Sequence, residues 1–286
     1  DWSLTLDPET LRTAETAQAN IDLADLVTVI GSDGTIRTKA VYTIGNRKLQ
    51  FLRIRLPQDT QLWGATLNGN PMIVSQAQGS LQVPLKHVGV GDLNLEVGIV
   101  YSHLLKADLP SLSGSLDLGA PLVLGQGKED GSLKEVTVLR TIWRVEIPDG
   151  YEAEMDDGNM QEVVSSIQYA SKVESNLEEI DRLTRYLEIG DSAGAGGARA
   201  GKLNRRQREQ VNLSLKRLQQ TLSDNVMDLS LSNREGGASG GQSGVQTDSL
   251  IKQQFESSDA LNRGRQAQKK LEDAIRKNEQ QGQSKR

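Results

Sequence analysis

The stretch from Lys48 to Met72 constrains the fold of this chain more than any other part of its sequence. Polar and apolar residues alternate strictly from Arg53 to Leu56, a pattern typical of a strand with one buried and one solvated face. Pro57 has no backbone N–H to give to a strand ladder, so it ends this strand. A second strand follows around Trp63, and the Asn-Gly-Asn-Pro segment at 68–71 predicts a tight hairpin turn.

Similar short strands continue on both sides of this stretch, separated by turns rich in Gly, Asn and Pro. The segment from Thr35 to Ile44 predicts the return strand of a hairpin closed at Gly31–Gly34, with alternate residues on one face. No helical pattern interrupts the strands before residue 155, which argues against a parallel α/β sheet. Residues 1–155 are therefore predicted to form an antiparallel β-domain, arranged as a sandwich or a barrel.

The hydrophobic period then changes from two to between three and four, which predicts amphipathic helices. The expected segments are a first helix over 156–190, a Gly/Ala-rich linker over 191–201, a second helix over 202–233, a Gly/Ser-rich linker over 234–247, and a third, polar helix with a tail over 248–286. The fold class is thus predicted as segregated α+β, with coiled-coil-like helices that follow a β-domain.

The helices carry narrow apolar stripes, which are marginal in water unless they pack against a partner. Val163 and Phe255 are expected within the first and third stripes. The residues expected to mediate contacts are Leu177, Ile180, Leu187, Leu215, Leu218 and Leu222. The partner can be another of these helices, the β-domain or a second chain, and self-association through the helices is one expectation.

Composition narrows the class of protein. Hydrophobic residues make up 36% of the 286 residues and aromatic residues 3%, which is lean for one large core. The chain has no cysteine, which excludes disulfides, thiolate catalysis and cysteine-ligated zinc. No apolar run is long enough for a transmembrane helix. Because the chain begins Asp1-Trp2, we expect a processed chain or a piece of a longer one.

The charge is unevenly placed along the chain. From Lys202 onward there are 16 Lys and Arg against 10 Asp and Glu, whereas the preceding part has 17 against 28. The basic residues of the second part alternate with acidic and amide residues, as expected of solvated helical faces. Nucleic acid is therefore not an expected partner.

Few residues suggest a binding or catalytic site. Trp63 and Trp143 would stack on sugar rings if they are exposed, but both lie in apolar runs, so packing in the core is the competing interpretation. Asp156, Asp157 and Asn159 form a weak candidate Ca²⁺ site, but an Asx turn that caps the first helix is the favoured interpretation, because the helical periodicity begins a few residues later. No carboxylate pair is singled out as acid and base, and no metal or cofactor is expected, so we expect a protein that is not an enzyme.

The stretch from Leu26 to Tyr101 resembles β-rich modules of large exported proteins of planctomycete-type bacteria. The residues that carry this resemblance are Asn46, Arg47, Gln50, Phe51, Leu52, Leu56, Pro57, Leu62, Trp63, Gly69 and Pro71. A looser match to the same modules includes Thr141, Trp143 and the Pro-Asp-Gly-Tyr segment at 148–151. The resemblance brings no catalytic residues, and it implies an envelope or extracellular setting with a structural or binding role.

Two functions follow as expectations. The first is a non-enzymatic component of a cell envelope or surface assembly, in which the β-module is a scaffold and the helices mediate self-association or docking to other protein subunits. The second is a β-sandwich module that binds a carbohydrate or another ligand through exposed tryptophans.

Overall fold

The computed structural model describes residues 19–46, 49–77, 79–85, 92–104, 115–126, 133–154, 159–192, 203–236 and 247–283. Within these residues the chain consists of two β-sheets followed in sequence by three helices. The order of elements confirms the predicted segregated α+β class.

The first sheet has six strands. In spatial order they are β11 (Thr141–Glu146), β1 (Ala19–Ile30), β2 (Thr35–Asn46), β8 (Leu95–Leu104), β4 (Gln61–Leu67) and β5 (Asn70–Met72). Four of the five pairings are antiparallel, but β11 runs parallel to β1, with Leu26 beside Trp143. The expectation of purely antiparallel pairing is therefore wrong at this edge. The physical reason is that the preceding strand belongs to the other sheet, so no tight hairpin turn fixes the direction of β11.

The second sheet has five strands. In spatial order they are β10 (Leu133–Glu135), β9 (Leu122–Gln126), β3 (Phe51–Arg55), β7 (Ser80–Pro84) and β6 (Ser75–Ala77). The stretch that opens with Lys48 therefore connects the two sheets, since β3 lies in the second sheet and β4 in the first. Pro57 lies in the connection between them, where a missing N–H costs no ladder hydrogen bond.

Both sheets contribute to one hydrophobic cluster. On β2, alternate residues are buried as predicted: Ile36, Thr38, Ala40, Tyr42 and Ile44. Leu52 and Ile54 of β3 are fully buried in the same cluster as Tyr42, whereas Phe51 is 48% exposed. The alternation of β3 thus places Leu52 rather than Phe51 in the core.

The predicted turns are confirmed by the backbone. Gly34 has a φ of 76°, and the N–H of Gly31 donates to the carbonyl oxygen of Thr35 at 2.8 Å. Asn68 and Gly69 have φ values of 51° and 76°, the left-handed conformations that a two-residue hairpin turn requires.

The helices are α1 (Ser165–Ser192), α2 (Arg205–Gly236) and α3 (Thr247–Gln283). The first begins later than residue 156, and Val163 lies before it with 44% of its surface exposed, so its placement in the helical stripe is wrong. The backbone N–H of Val164 instead donates to Oε1 of Gln253 on α3, at 2.9 Å. A capping box starts α2, in which Asn204 and Gln207 each accept a hydrogen bond from the other's backbone N–H.

The three helices pack against one another around a second hydrophobic cluster. Glu174 of α1 pairs with Arg263 of α3, whereas Gln219 of α2 lies opposite Glu272. With the contact of Gly264 with Val226, the second pair shows that α2 and α3 run antiparallel. The first pair, together with the contact of Val164 with Gln253, shows that α1 and α3 run parallel.

The buried face of α3 differs from the predicted one. Phe255 is 74% exposed, so its assignment to the stripe is wrong, and the side chain of Ile251 lies outside the described part of the structure. Small and polar residues at spacings of three and four line much of the contact, together with two larger apolar ones: Gln253, Ser257, Ala260, Gly264, Ala267, Leu271 and Ile275. Small side chains let the helix approach its neighbours closely, so α3 packs without a wide apolar stripe.

Candidate functional site

Two rows of side chains cross the face of the six-stranded sheet that points away from the shared core. One row consists of Arg144, Val27, Lys39, Val100 and Gly64, which are successive cross-strand neighbours. The next row consists of Glu146, Val29, Arg37, Ser102 and Gln61. We call the part formed by Arg37, Lys39, Trp63, Val100 and Ser102 the Trp63 face.

Trp63 is on this face because of an irregularity in β4. The register with β8 shifts between Leu62 and Gly64, so Trp63 is an extra residue opposite the partner strand. Regular alternation from the buried Ala65 would point the indole into the core. The bulge turns it outward instead, and 65% of the side chain is exposed. Core packing, the competing interpretation of this residue, is therefore wrong.

One edge of the indole is fixed by a hydrogen bond. Its Nε1–H donates to Oγ of Ser102 at 2.6 Å, and Ser102 itself is buried. The polar atom of the ring is satisfied within the protein, while most of the ring surface stays in contact with solvent. The result is a positioned aromatic platform on a rigid strand.

Cations lie beside this platform. The guanidinium carbon of Arg37 lies 5.7 Å from the centroid of the Trp63 ring, within the range of a cation–π contact. Lys39 is exposed and, among the described residues, has no ion-pair partner. The pKa of Asp33, in the turn before β2, is lowered by the hydrogen bond from the backbone N–H of Thr35 and, more weakly, by Arg37.

Trp143 occupies a different place. It pairs with Leu26, on the side of the sheet that faces the core, and it packs against the cluster there while remaining partly exposed. Its Nε1–H donates to Oγ1 of the buried Thr28 at 2.8 Å. The two tryptophans thus lie on opposite sides of one sheet and do not form a joint binding surface.

At the β1 side of the sheet, α1 contacts the outer face. Asp25 accepts hydrogen bonds from Gln168 at 3.1 Å and from Lys172 at 2.7 Å. Nearby, Glu174 pairs with Arg140 of the segment before β11 at 2.7 Å. These contacts attach α1 to the β-domain through charges and hydrogen bonds, in addition to Leu93, which packs against the hydrophobic cluster of the helices.

A second group of polar contacts lies further along α1. The backbone N–H of Asn94 donates to Oε1 of Glu179 at 2.6 Å, and its side chain donates to Asp22 at 2.7 Å. Arg182 contacts Glu179 at 2.9 Å and donates to the carbonyl oxygen of Asp92. The pKa of Asp22 is raised to about 6, first by burial and then by the nearby Glu179 and Glu178 carboxylates.

Two depressions lie away from the Trp63 face. One of about 110 Å³ opens at the edge of the β-domain between Tyr42 and Val136, and it is smaller than the pockets that usually bind ligands. Another of about 400 Å³ is a shallow area on α1 near Tyr186 and Ile189.

The remaining sequence candidates do not form a site in the described structure. Asp156 and Asp157 lie outside the described residues, and Asn159 is exposed and precedes α1 by several residues, so it does not cap that helix. The described residues contain no group of three or more side chains arranged to hold a metal ion. In the described helices, no segment is long and apolar enough to cross a membrane.

The helix residues expected to contact partners pack against other helices of the same chain. Five of them are buried in the cluster between the helices, and Leu177 packs against it; the five are Ile180, Leu187, Leu215, Leu218 and Leu222. They are therefore not a free surface, and among the expected partners it is the other helices of the same chain against which these stripes pack.

Comparisons with known proteins do not identify a family for this chain. No family model matches the chain, and no curated protein matches it. Among solved structures, it is similar to an M1 zinc metallopeptidase from Deinococcus radiodurans, at 14% identity and a TM-score of 0.30, over 50% of this chain and 37% of that one. It is also similar to aminopeptidase A from Legionella pneumophila, at 12% identity and a TM-score of 0.27, over 42% of this chain and 14% of that one. The chain spans less than two fifths of the length of these proteins, and likeness at this level carries no argument about activity.

Proposed function

We propose that this chain is a binding module that holds a saccharide on the Trp63 face, with its β-domain as a sandwich-like scaffold. The observation that carries the proposal is the 65% exposure of Trp63 combined with the hydrogen bond from its indole to Ser102. Exposed aromatic residues at fixed positions are enriched at recognition surfaces, because they bury a large area at a small cost in conformational entropy.

The surroundings of Trp63 suit a sugar ring. The flat indole offers an apolar surface to the C–H groups of a pyranose, while Arg37, Lys39 and Gln61 offer hydrogen-bond donors around it. Because these residues lie on β2 and β4 of one sheet, with β8 between the two strands, the site is largely formed before binding, which reduces the entropic cost of association. The open shape of the face suits an extended or branched ligand.

The test is a glycan-array screen followed by isothermal titration calorimetry on the full chain. Trp63→Ala should reduce binding of the selected glycan at least tenfold, since stacking on the indole would be lost. Trp143→Phe is the matched control, because this residue faces the core, and it should leave the affinity within about twofold of the wild type. Equal binding by wild type and Trp63→Ala would rule out this site.

A second candidate function is docking in a protein assembly of the cell envelope, after export of the chain. One end of the helical bundle carries exposed apolar side chains: Met227 at 63%, Leu231 at 44% and Phe255 at 74%. All three lie towards the end where α2 finishes and α3 begins. Unpartnered apolar side chains of this size are typical of contact surfaces.

Light scattering tests this second candidate. If the bundle end mediates self-association, the full chain should be larger than a monomer and Phe255→Glu should make it monomeric. Lys252→Glu, one turn earlier on the same helix and also exposed, is the control for added negative charge. A monomeric wild-type chain would remove self-association from this candidate.

A further inference from the structure

We propose that the saccharide bound on the Trp63 face is acidic and presents a carboxylate, as in a uronic acid, to Lys39 and Arg37. This inference rests on the proposed function, which it deepens by naming the ligand class. It starts from a local reversal of charge, since the chain as a whole has a net charge of -5, whereas the exposed half of this face has two adjacent cations.

The cations on this face differ in whether a carboxylate already neutralises them. Arg144, at the far end of the same row as Lys39, is paired with Glu146 at 3.1 Å. Lys39 has no such partner among the described residues. Arg37 faces the Trp63 ring and adds to the lowered pKa of Asp33, but the Asp33 carboxylate is held by the backbone N–H of Thr35. Two cations thus remain available to an incoming anion.

The spacing of these cations fits a small anionic group beside a stacked ring. Arg37 and Lys39 are two residues apart on β2, so their side chains leave the sheet on the same face about 7 Å apart. The guanidinium lies against the indole, so a sugar stacked on Trp63 brings its substituents within reach of both cations. A guanidinium binds a carboxylate through two parallel hydrogen bonds, and an ammonium adds a point charge.

Other anionic ligands fit less well. An acidic peptide is usually held by an open sheet edge or a groove, but β2 is an interior strand and its backbone is already paired on both sides. Single-stranded nucleic acid requires a positively charged groove along its backbone. Residues 1–201 have 28 Asp and Glu against 17 Lys and Arg, which repels a polyphosphate. A short oligosaccharide with only a few carboxylates meets less of this repulsion.

Isothermal titration calorimetry with a matched pair of ligands tests the inference. The probes are trigalacturonate and the same trisaccharide after reduction of its carboxyl groups to alcohols. Wild type should bind trigalacturonate at least tenfold more tightly than the reduced form, and added salt should diminish this preference. Lys39→Gln should remove most of the preference while leaving affinity for the reduced form within about twofold. Lys252→Gln, an exposed lysine on α3, removes the same charge elsewhere and should change neither affinity.

The outcomes separate the two proposals. Suppose that Trp63→Ala weakens the binding of both ligands but Lys39→Gln leaves the ratio of the two affinities unchanged. The inference of an acidic ligand is then wrong, whereas the proposed saccharide site is supported. If Trp63→Ala changes neither affinity, the saccharide site fails as well. If wild type binds neither ligand, the inference of an acidic saccharide fails, and the glycan array decides whether the saccharide site stands. Tighter binding of oligothymidylate or oligoglutamate than of trigalacturonate would overturn the inference in favour of a nucleic acid or an acidic peptide.

Discussion

Gly264 of α3 lies so close to Val226 of α2 that a Cβ atom at position 264 would stand 2.7 Å from Cγ2 of Val226. The same Cβ would lie 3.0 Å from Cγ1 of Val173 on α1. The first distance is shorter than real Cβ atoms show and the second is tight, so with any other residue at position 264 the neighbouring side chains would have to shift.

The first prediction is that Gly264→Ala destabilises the protein. Alanine favours a helix over glycine by about 1 kcal/mol, but overpacking a core costs about 1–3 kcal/mol. We expect a net loss of about 1 kcal/mol or more in the free energy of unfolding, measured by urea denaturation. Val226→Ala opens space for the new methyl group, so the double variant should lose less than the two single losses together. A more stable Gly264→Ala variant would show that the helices are not this close.

The second prediction concerns the apolar stripe of α2. Leu222 is fully buried between the helices, whereas Leu213 on the same helix is 57% exposed. Leu222→Ala should lower the free energy of unfolding by about 2–5 kcal/mol, whereas Leu213→Ala should change it by no more than about 0.5 kcal/mol. Denaturation followed by circular dichroism at 222 nm measures both. Similar small losses for the two variants would show that the stripe is not packed within the chain.

The strands and helices follow from local periodicity, which explains why their identity is predictable from the sequence. The prediction that alternate residues of β2 from Ile36 to Ile44 share one face is correct, because alternation determines this face without knowledge of the partner strands. The assignment of β3 and β4 to different sheets is not predictable in this way, since it depends on pairings between residues far apart in sequence.

The candidate site is less predictable than the fold, and the cause is local. Alternation alone places Trp63 in the core, and only the bulge between Leu62 and Gly64 reverses it. The glycine within a strand was the available signal, because such glycines often mark bulges. The buried face of α3 was missed for a related reason, since Ser257 and Gly264 carry little hydrophobicity although they make close contacts.

The third prediction concerns the attachment of the helices to the β-domain. Lys172 and Gln168 both donate to Asp25, whose side chain is 16% exposed. Asp25→Ala leaves both donors without their acceptor, and hydrogen bonds to charged groups are worth about 1.5–3 kcal/mol. We expect a loss of this size in the free energy of unfolding.

A surface ion pair provides the control for this loss. Arg205 and Glu209 on α2 are 74% and 59% exposed, and Glu209→Ala should cost no more than about 0.5 kcal/mol. Amide hydrogen exchange adds a local measurement, because protection of the α1 backbone beside β1 should fall in Asp25→Ala. An Asp25→Ala variant as stable as Glu209→Ala would show that the contact contributes little to the attachment.

The fourth prediction is a dependence of stability on pH that originates at Asp22. Its pKa is raised to about 6 by burial and by Glu179 and Glu178, with partial compensation from Arg182 and Asn20. The folded state therefore holds a proton on Asp22 that the unfolded state releases above its ordinary pKa of 3.8. The contribution of Asp22 to stability is greatest below that value and is lost as the pH rises towards about 6.

Asp22→Asn isolates this contribution, since the amide keeps the shape of the side chain and cannot ionise. We expect urea denaturation of both proteins from pH 3.5 to pH 7.5 to show that the free energy of unfolding of the variant increases relative to that of the wild type as the pH rises to about 6. Above this pH the difference between the two free energies should be constant. Asp33→Asn is a control of opposite sign, because the lowered pKa of Asp33 makes its contribution disappear as the pH falls. A difference between wild type and Asp22→Asn that stays constant over the whole range would show that Asp22 ionises equally easily in the folded and the unfolded state.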